Sequence, residues 1–415
     1  MAMTRRTALA SATGLGALGL AGGARAQAPG DAAKMTAGAA PIPVSEVLAR
    51  IAKAQRLMQA QGVKALVIEP GAAMIYFTGV RWHRSERPTV AVIPQAGEPL
   101  LVTPHFEEPS VRESLHIPAV VRPWHEDQDA MAVAADWLRS TGLATGKVAF
   151  EETTRWFVAE RLLKAASGLK AQSGDSITRP CRMIKSPAEL ALMQLATDIT
   201  IAAYRRTYPQ VKAGMSNGDI ARIMSRETVA LGGEVEFSLI LLGPAAAYPH
   251  GTGQPQVATE GGIVLMDCGC NVFGYQSDVS RTFVLGDPSK RQRQVWDQVR
   301  RGQEIAFQAA KVGAPAGSVD DAVRGYYTSL GYGPGETLPG LSHRTGHGIG
   351  LDGHEPVNLV HGETTRLAPG MCFSDEPGLY IPGEFGVRLE DCFHMTETGP
   401  KFFSEPPTSL DRPFG

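Results

Sequence analysis

The sequence predicts an α+β protein of two successive domains that follow an export signal. Two observations support this fold class. Between about residues 43 and 180, short apolar runs typical of strands alternate with helical stretches, which is typical of an α/β domain. From about residue 182 to 405, helices with clear start signals lead into further strands, which predicts a second domain. The chain of 415 residues is long enough for two or three domains of average size.

The first domain is predicted to begin with an amphipathic helix over Val44–Gln61, where apolar residues recur at helical spacing. Apolar runs bounded by turn residues are predicted to be strands at 65–68, 75–77, 90–93, 100–102 and 148–150. Two further helices are predicted over 130–140 and 154–166.

The second domain is predicted to begin with a long helix that ends near Tyr208. Ser186 can cap this helix, Pro187 suits its first position, and Glu189 completes a capping box. Two more capping boxes, at Ser216 and Ser318, lie 102 residues apart, which indicates either an internal duplication or a coincidence of short motifs. Strands are predicted at 237–242, 262–267, 280–285, 372–375 and 387–393.

Composition and charge favour an ordinary soluble globular protein. Hydrophobic residues make up 43% of the chain and charged residues 20%. A formal net charge of −2 gives no reason to expect nucleic acid or an anionic membrane surface as a partner. The odd number of cysteines excludes complete internal pairing, and their spacing forms no zinc pattern, so we interpret them as small buried side chains rather than soft metal ligands. They are Cys181, Cys268, Cys270, Cys372 and Cys392.

The first 28 residues have the character of a signal peptide. Arg5 and Arg6 precede an apolar run over 8–22, and small residues at 24–28 suit cleavage. The paired arginines predict twin-arginine export to the periplasm, with a general secretory signal or an uncleaved anchor as the alternatives. The run is too short and too rich in glycine for a stable membrane span. Residues 29–42 are predicted to be a linker.

Five residues of the second domain have the types and the order of a two-metal hydrolase site. They are Asp267, Asp278, His347, Glu376 and Glu390. The two aspartates are eleven residues apart, glycines flank the histidine, and the glutamates stand in Glu-Pro-Gly and Arg-Leu-Glu-Asp. Four carboxylates and one imidazole can hold two divalent cations, which can activate a water and polarise a carbonyl. Hard oxygen donors favour manganese, although zinc, cobalt or iron would also fit.

With these motifs the sequence resembles the creatinase/prolidase/methionine aminopeptidase family, and within it the Xaa-Pro peptidases aminopeptidase P and prolidase. The resemblance extends from about Arg182 to about Glu397, and it is loose in the first half, at 74–79. It implies a creatinase-like N-terminal domain over 43–180, a pita-bread catalytic domain over 182–405, and a homodimer. It also implies the metal ligation. Asp267 would chelate one metal, His347 and Glu376 would bind the other, and Asp278 and Glu390 would bridge the two.

The resemblance further implies roles for residues that do not bind metal. His250, His343 and His354 would line the substrate pocket, bind the scissile carbonyl oxygen and the oxyanion, and move protons to the leaving amine. Either Glu376 or the surroundings of the attacking water would accept its proton. Apart from the resemblance, Arg388 precedes Glu390 by two residues, so both side chains would point to the same face of a strand, where Arg388 could hold a bridging carboxylate or meet a substrate carboxylate.

Four further features concern the surroundings of the motifs, and two of them leave alternatives open. Tyr380 is either close to the site or a packed aromatic side chain, and Cys268 occupies a position where an apolar residue or threonine is common. The extra carboxylate of Asp375 either raises the pKa of a neighbour or points away, as strand alternation predicts. The glycines around His347 are interpreted as allowing the backbone to approach a metal closely.

Together the motifs predict an exopeptidase with two divalent metal ions that hydrolyses Xaa-Pro bonds through a hydroxide bridging them. A small-molecule hydrolase or lyase on the same scaffold is the alternative, as in creatinase or the dimethylsulfoniopropionate lyases. A non-catalytic peptide-binding protein is the remote one. The chain keeps all four carboxylates and the Asp-x-Gly motif, which favours the peptidase, while aminopeptidase and dipeptidase activity stay undecided.

Overall fold

The computed structural model describes residues 34–414. The predicted signal, residues 1–28, lies outside this range and stays a prediction. The described part of the predicted linker is not free, because the Met35 amide donates a hydrogen bond to the Leu231 carbonyl at 2.8 Å. Within residues 34–414, no helix combines the length and the apolar character that a membrane span requires.

The first domain alternates helices and strands from residue 44 to residue 182. Its helices are α1 (Val44–Gln61), α2 (Ala72–Thr78), α3 (Glu108–Ser114), α4 (Ala130–Ser140), α5 (Trp156–Ala165) and α6 (Asp175–Arg182). Its strands are β1 (Val63–Ile68), β2 (Val90–Pro94), β3 (Leu100–Pro104), β4 (Val120–Trp124), β5 (Thr145–Phe150) and β6 (Gly168–Ser173). They form one sheet in the order β4-β3-β2-β1-β5-β6, parallel except where β2 pairs with β1 and β3. The predicted α/β character is confirmed.

The predicted strand at 75–77 is wrong, because these residues lie in the helix α2. Glycines with positive φ, Gly71 at 150° and Gly79 at 78°, bound the helix, and the Gly79 amide donates to the Ile75 carbonyl. Nearly all of α2 is buried, including Met74 and Phe77. A short apolar run that is buried on several sides shows no period from which helix and strand can be told apart.

The second domain contains four helices and eleven strands in residues 187–402. The helices are α7 (Pro187–Thr207), α8 (Asn217–Leu231), α9 (Lys290–Ala309) and α10 (Gly317–Ser329). The first strands are β7 (Glu234–Leu242), β8 (Ile263–Val272), β9 (Tyr275–Gln276), β10 (Val279–Val284), β11 (Gly346–Gly348) and β12 (Glu355–Leu359). The others are β13 (Cys372–Asp375), β14 (Gly378–Ile381), β15 (Phe385–Arg388), β16 (Asp391–Thr396) and β17 (Gly399–Phe402).

These elements repeat one order, a pair of helices followed by an antiparallel sheet. The pair α7 and α8 precedes the sheet β10-β8-β7, in which β9 also pairs with β8. The pair α9 and α10 precedes the sheet β12-β11-β13-β16-β17, and β14 and β15 form a hairpin beside it. Mixed helices and antiparallel sheets of this kind agree with the predicted α+β fold.

The capping boxes predicted at Ser186 and Ser216 are confirmed, and the one predicted at Ser318 is wrong. Ser318 lies inside α10, and its hydroxyl donates to the Pro315 carbonyl at 2.6 Å. A capping box occurs instead at Ser289, which begins α9 by exchanging hydrogen bonds with Gln292. The two helix pairs therefore correspond at their first helices, α7 and α9, which both have a serine as the N-cap residue.

Candidate metal centre

The five predicted metal ligands meet between the two antiparallel sheets of the second domain. Asp267 lies within β8, Asp278 directly before β10, and His347 in β11. Glu376 directly follows β13, and Glu390 lies between β15 and β16. Each side chain is thus carried by a hydrogen-bonded strand or by the residue beside one, which fixes its position.

The strand predicted over 387–393 is divided at Glu390. The first part, β15, pairs with β14, whereas β16 pairs with β13, so the chain passes from the hairpin to the larger sheet at Leu389 and Glu390. The Glu390 amide donates to the Ser280 carbonyl at 3.1 Å, which holds the turn against β10.

Three of the five residues form a group that could hold one metal ion. Each of Asp278, His347 and Glu390 offers one ligand atom, and these atoms lie within 4.8 Å of one another. His347 Nε2 lies 3.6 Å from Asp278 Oδ2 and 3.2 Å from Glu376 Oε1. The Ser280 hydroxyl, 2.9 Å from Asp267 Oδ1 and 2.7 Å from Glu390 Oε2, joins Asp267 to the same group.

The electrostatics of this group fit divalent cations. Burial and the charges of Asp267 and Glu376 raise the pKa of Asp278 well above its usual range. Burial and the charge of Asp278 do the same to the pKa of Glu390. Within residues 34–414, Asp278 Oδ1 and Glu390 Oε1 are buried without a hydrogen-bond partner. Buried, crowded carboxylates with unpartnered oxygens are costly unless cations compensate them.

Arg388 supports the site from behind Asp267. Its side chain is 3% exposed, and Nη2 donates to Asp267 Oδ2 at 2.6 Å. Nε donates to the Ser280 hydroxyl at 2.9 Å, and Nη1 donates to the Pro249 carbonyl and the Tyr380 hydroxyl, both at 3.1 Å. Arg388 therefore holds Asp267 rather than the expected bridging carboxylate, and all three of its nitrogens are engaged.

Tyr380, whose role the sequence left open, contacts two residues of the site. The ring is fully buried, and its hydroxyl lies 2.7 Å from His343 Nε2 as well as beside Arg388. Ser280 was missed. The signal that could have found it is strand pairing, because Ser280 stands directly opposite Asp267 in the antiparallel pair of β8 and β10.

The predicted histidines surround the metal ligands. The rings of His354 and His347 have centroids 4.1 Å apart. Burial, with the neighbouring His347 and the positive charge of Arg344, lowers the pKa of His354 to about 4, so His354 is neutral at pH 7. His343 Nδ1 lies 4.0 Å from Glu376 Oε2, and burial lowers its pKa as well. The exposed side chain of His250 lies at the rim.

All nine predicted site residues line one cavity of about 700 Å³. The cavity is also bounded by apolar side chains and by charged residues that the sequence did not single out. They include Glu236, Phe237, Leu239, Glu336, Arg344 and Val360. A cavity of this volume accommodates a small peptide.

Two of the glycines around His347 lie against neighbouring backbone, and the interpretation that they let the backbone approach a metal stays a prediction. A Cβ at Gly346 would lie 2.1 Å from the Ser374 carbonyl oxygen, and one at Gly348 would lie 2.5 Å from the Glu355 carbonyl oxygen. Neighbouring strands of the sheet therefore require glycine at both positions.

Asp375 and the cysteines stay outside the metal set. Asp375 does not line the cavity, and the preceding Ser374 hydroxyl contacts the His347 amide at 3.0 Å, so Asp375 points to the opposite face as strand alternation predicts. All five cysteines lie within residues 34–414, and they are buried and form no disulfide there. The interpretation of the cysteines as buried side chains is thereby confirmed.

Comparison with known proteins gives two family matches and many relatives. Residues 191–397 match the model of metallopeptidase family M24, and residues 50–184 match that of the creatinase/prolidase N-terminal domain. A probable dipeptidase, PepE, from Mycobacterium tuberculosis is 33% identical over 362 residues, which are 86% of this chain and 94% of the relative. An Xaa-Pro dipeptidase from Lactobacillus helveticus is 29% identical, over 85% of this chain and 95% of the relative.

Solved structures show the same likeness over most of the chain. The dipeptidase PepE of Mycobacterium ulcerans superposes with a TM-score of 0.81 at 31% identity, covering 89% of this chain and 99% of that one. A prolidase from Thermococcus sibiricus superposes with a TM-score of 0.79 at 27% identity, covering 86% and 96%.

Proposed function

We propose, from the premise that this chain belongs to metallopeptidase family M24, that it is an exopeptidase that cleaves Xaa-Pro bonds with two divalent metal ions. Family membership and the relatives establish the coarser activity, a metallo-exopeptidase. The single observation that carries the finer proposal is the joint lining of one cavity by five potential metal ligands and three histidines. Relatives named Xaa-Pro dipeptidase support proline specificity.

The residues present fit two hard divalent cations. Asp267, Asp278, His347, Glu376 and Glu390 would hold them, and the oxygen-rich set favours manganese. When bound, two such ions supply Lewis acidity and a water of lowered pKa.

The other groups of the site bind the substrate and move protons. His354 is neutral at pH 7, so one of its ring nitrogens can donate a hydrogen bond to the scissile carbonyl oxygen and to the oxyanion that develops from it. His250 at the rim can donate to the same oxygen or deliver a proton to the leaving nitrogen. Glu376 is the proposed proton acceptor for the attacking water.

His343, Tyr380 and Arg388 form a series of hydrogen bonds that ends at a metal-binding carboxylate. His343 is bonded through Tyr380 to Arg388, and Arg388 fixes Asp267. This series of hydrogen bonds therefore connects a histidine that lines the substrate cavity to a metal-binding carboxylate.

The experiment that tests this proposal is hydrolysis by manganese-reconstituted protein of Gly-Pro, Ala-Pro and a longer Ala-Pro-Xaa peptide. Creatine and dimethylsulfoniopropionate serve as substrates of the alternative activities. We expect release of the residue before proline, with no turnover of the two small molecules. Turnover of creatine or dimethylsulfoniopropionate without peptide cleavage would establish the alternative and refute the peptidase.

A further inference from the structure

Arg344 stands apart from the other charged residues that line the cavity. Among the residues that the structure describes, its guanidinium forms no ion pair and no hydrogen bond, and its side chain is half-buried. Arg388, the other arginine of the cavity, has all three nitrogens engaged. An arginine fork that faces a cavity without a partner is suited to bind a carboxylate in bidentate fashion.

The backbone that carries Arg344 is fixed, so only the side chain is free to adapt. Arg324 Nη2 donates to the His343 carbonyl at 2.7 Å, and His343 Nδ1 lies 2.8 Å from the Arg344 carbonyl oxygen. The amide and hydroxyl of Thr345 donate to Oδ1 of the fully buried Asp320, at 3.1 and 2.7 Å. This anchoring fixes the backbone from which the guanidinium extends, as a binding group requires.

Arg344 also lies near the group that is proposed to contact the scissile carbonyl. It is close enough to His354 for its positive charge to act on that ring, and His354 is the proposed donor to the scissile carbonyl. Consecutive Cα atoms are about 3.8 Å apart, so the carboxylate of an Xaa-Pro dipeptide lies only one residue from the scissile bond. Apart from the proposed metal ligands, the histidines, Arg388 and Arg344 itself, the charged groups of the lining are Glu236 and Glu336, which are acidic and repel a carboxylate.

We propose that Arg344 binds the free C-terminal carboxylate of the substrate, so that the enzyme prefers Xaa-Pro dipeptides to longer or blocked peptides. The inference rests on the proposed function and deepens it, because it selects dipeptidase over aminopeptidase activity. It also assigns the role of meeting the substrate carboxylate, first considered for Arg388, to a different arginine.

The test compares Ala-Pro with Ala-Pro amide, which has the same scissile bond but no terminal carboxylate. We expect the wild type to have a kcat/KM at least about 10-fold higher for Ala-Pro than for the amide. The variant R344Q should lose about 10- to 100-fold on Ala-Pro, the effect of one charge-assisted contact, chiefly through KM. Its loss on the amide should be much smaller than its loss on Ala-Pro, and R344K should retain part of the preference.

The control is R222Q, since Arg222 is an exposed arginine on α8 outside the cavity, and it should leave both substrates unaffected. Inhibition of the wild type by free proline but not by prolinamide provides a second measurement that does not depend on the folding of R344Q. Equal rates of the wild type on Ala-Pro and its amide, or equal losses on both in R344Q, would overturn this inference alone. No cleavage of either compound by metal-loaded wild type would overturn the proposed function together with it.

Discussion

At the scale of single residues, the carboxylates of the site fall into two kinds. Both oxygens of Asp267 are engaged, by Arg388 and by Ser280, so this carboxylate is held in place before any cation binds. Asp278 and Glu390 each keep one buried oxygen without a partner among the described residues. The first kind sets the geometry of the site, and the second leaves oxygens free to coordinate a cation.

His354 and His347 are neighbours with different proposed roles, and two variants separate them. His354→Ala should keep the metal content and fold, while kcat falls roughly 10²–10³-fold, the usual loss for one oxyanion donor. KM should change less, because the contact strengthens in the transition state. His347→Ala should lose metal and activity together. Elemental analysis and steady-state kinetics of both proteins provide the check, and an equal loss of metal in both would make His354 a ligand.

At the scale of elements, a buried ion cluster fixes the segment that carries His354. Glu355 follows His354 at the start of β12 and pairs with Lys185 at 2.9 Å and with Arg182 at the end of α6. Its Oε1 also accepts from the amides of Leu351 and Asp352, at 3.0 and 3.3 Å. The end of the first domain thus holds a segment of the active site.

Glu355→Gln should destabilise the protein by about 3–5 kcal/mol, because it leaves the buried Lys185 without its partner and Arg182 with only the half-exposed Asp352. Burial alone would raise the pKa of Glu355, but Arg182 and Lys185 outweigh it and lower the pKa to about 2. The native carboxylate therefore stabilises the fold fully above the unfolded pKa of about 4.3, and this contribution is lost as pH falls toward 2.

Denaturant unfolding measures this effect, with Glu384→Gln as the matched control. Glu384 pairs with Arg291 at the surface, with about half of its side chain exposed, and its loss should change stability by less than about 1 kcal/mol. Equal stability of Glu355→Gln and the control would show that the cluster does not hold this segment.

At the scale of the whole molecule, the sequence predicted those features that depend on local pattern. Helix α1 has the predicted bounds, and the residues around the cavity were found because their spacing along the chain is a motif. The misses around the cavity depend on distant contacts. The division at Glu390 arises because β15 and β16 pair with different strands, and Ser280 matters only through its position opposite Asp267. The proposed role of Arg344 could not be predicted from local sequence, because it depends on the absence of a partner for its guanidinium in the folded cavity.

Export and dimer formation stay predictions at this scale. Replacing Arg5 and Arg6 with lysine should leave the precursor inside the cell, because twin-arginine export depends on this pair. Fractionation of cells that express the two forms measures the effect. Unchanged export would refute the twin-arginine signal while leaving a general secretory signal open, and light scattering of the purified protein tests the homodimer.

The metal centre should couple the stability of the second domain to cation concentration, because its ligands come from both sheets. A ligand at 100 times its dissociation constant stabilises the native state by about 2.7 kcal/mol, so chelation should lower Tm by about 5 °C.

Asp278→Asn should bind less metal and be less stable than the wild type in manganese. In chelator the order should reverse, since the variant lacks one of the crowded charges that raise the pKa of Asp278 and Glu390. Calorimetry of wild type, Asp278→Asn and Glu384→Gln, each with manganese and with chelator, distinguishes these states. A chelated Asp278→Asn that melts below the chelated wild type would mean that Asp278 stabilises the fold by itself, and the buried carboxylates would then not need cations to offset their repulsion.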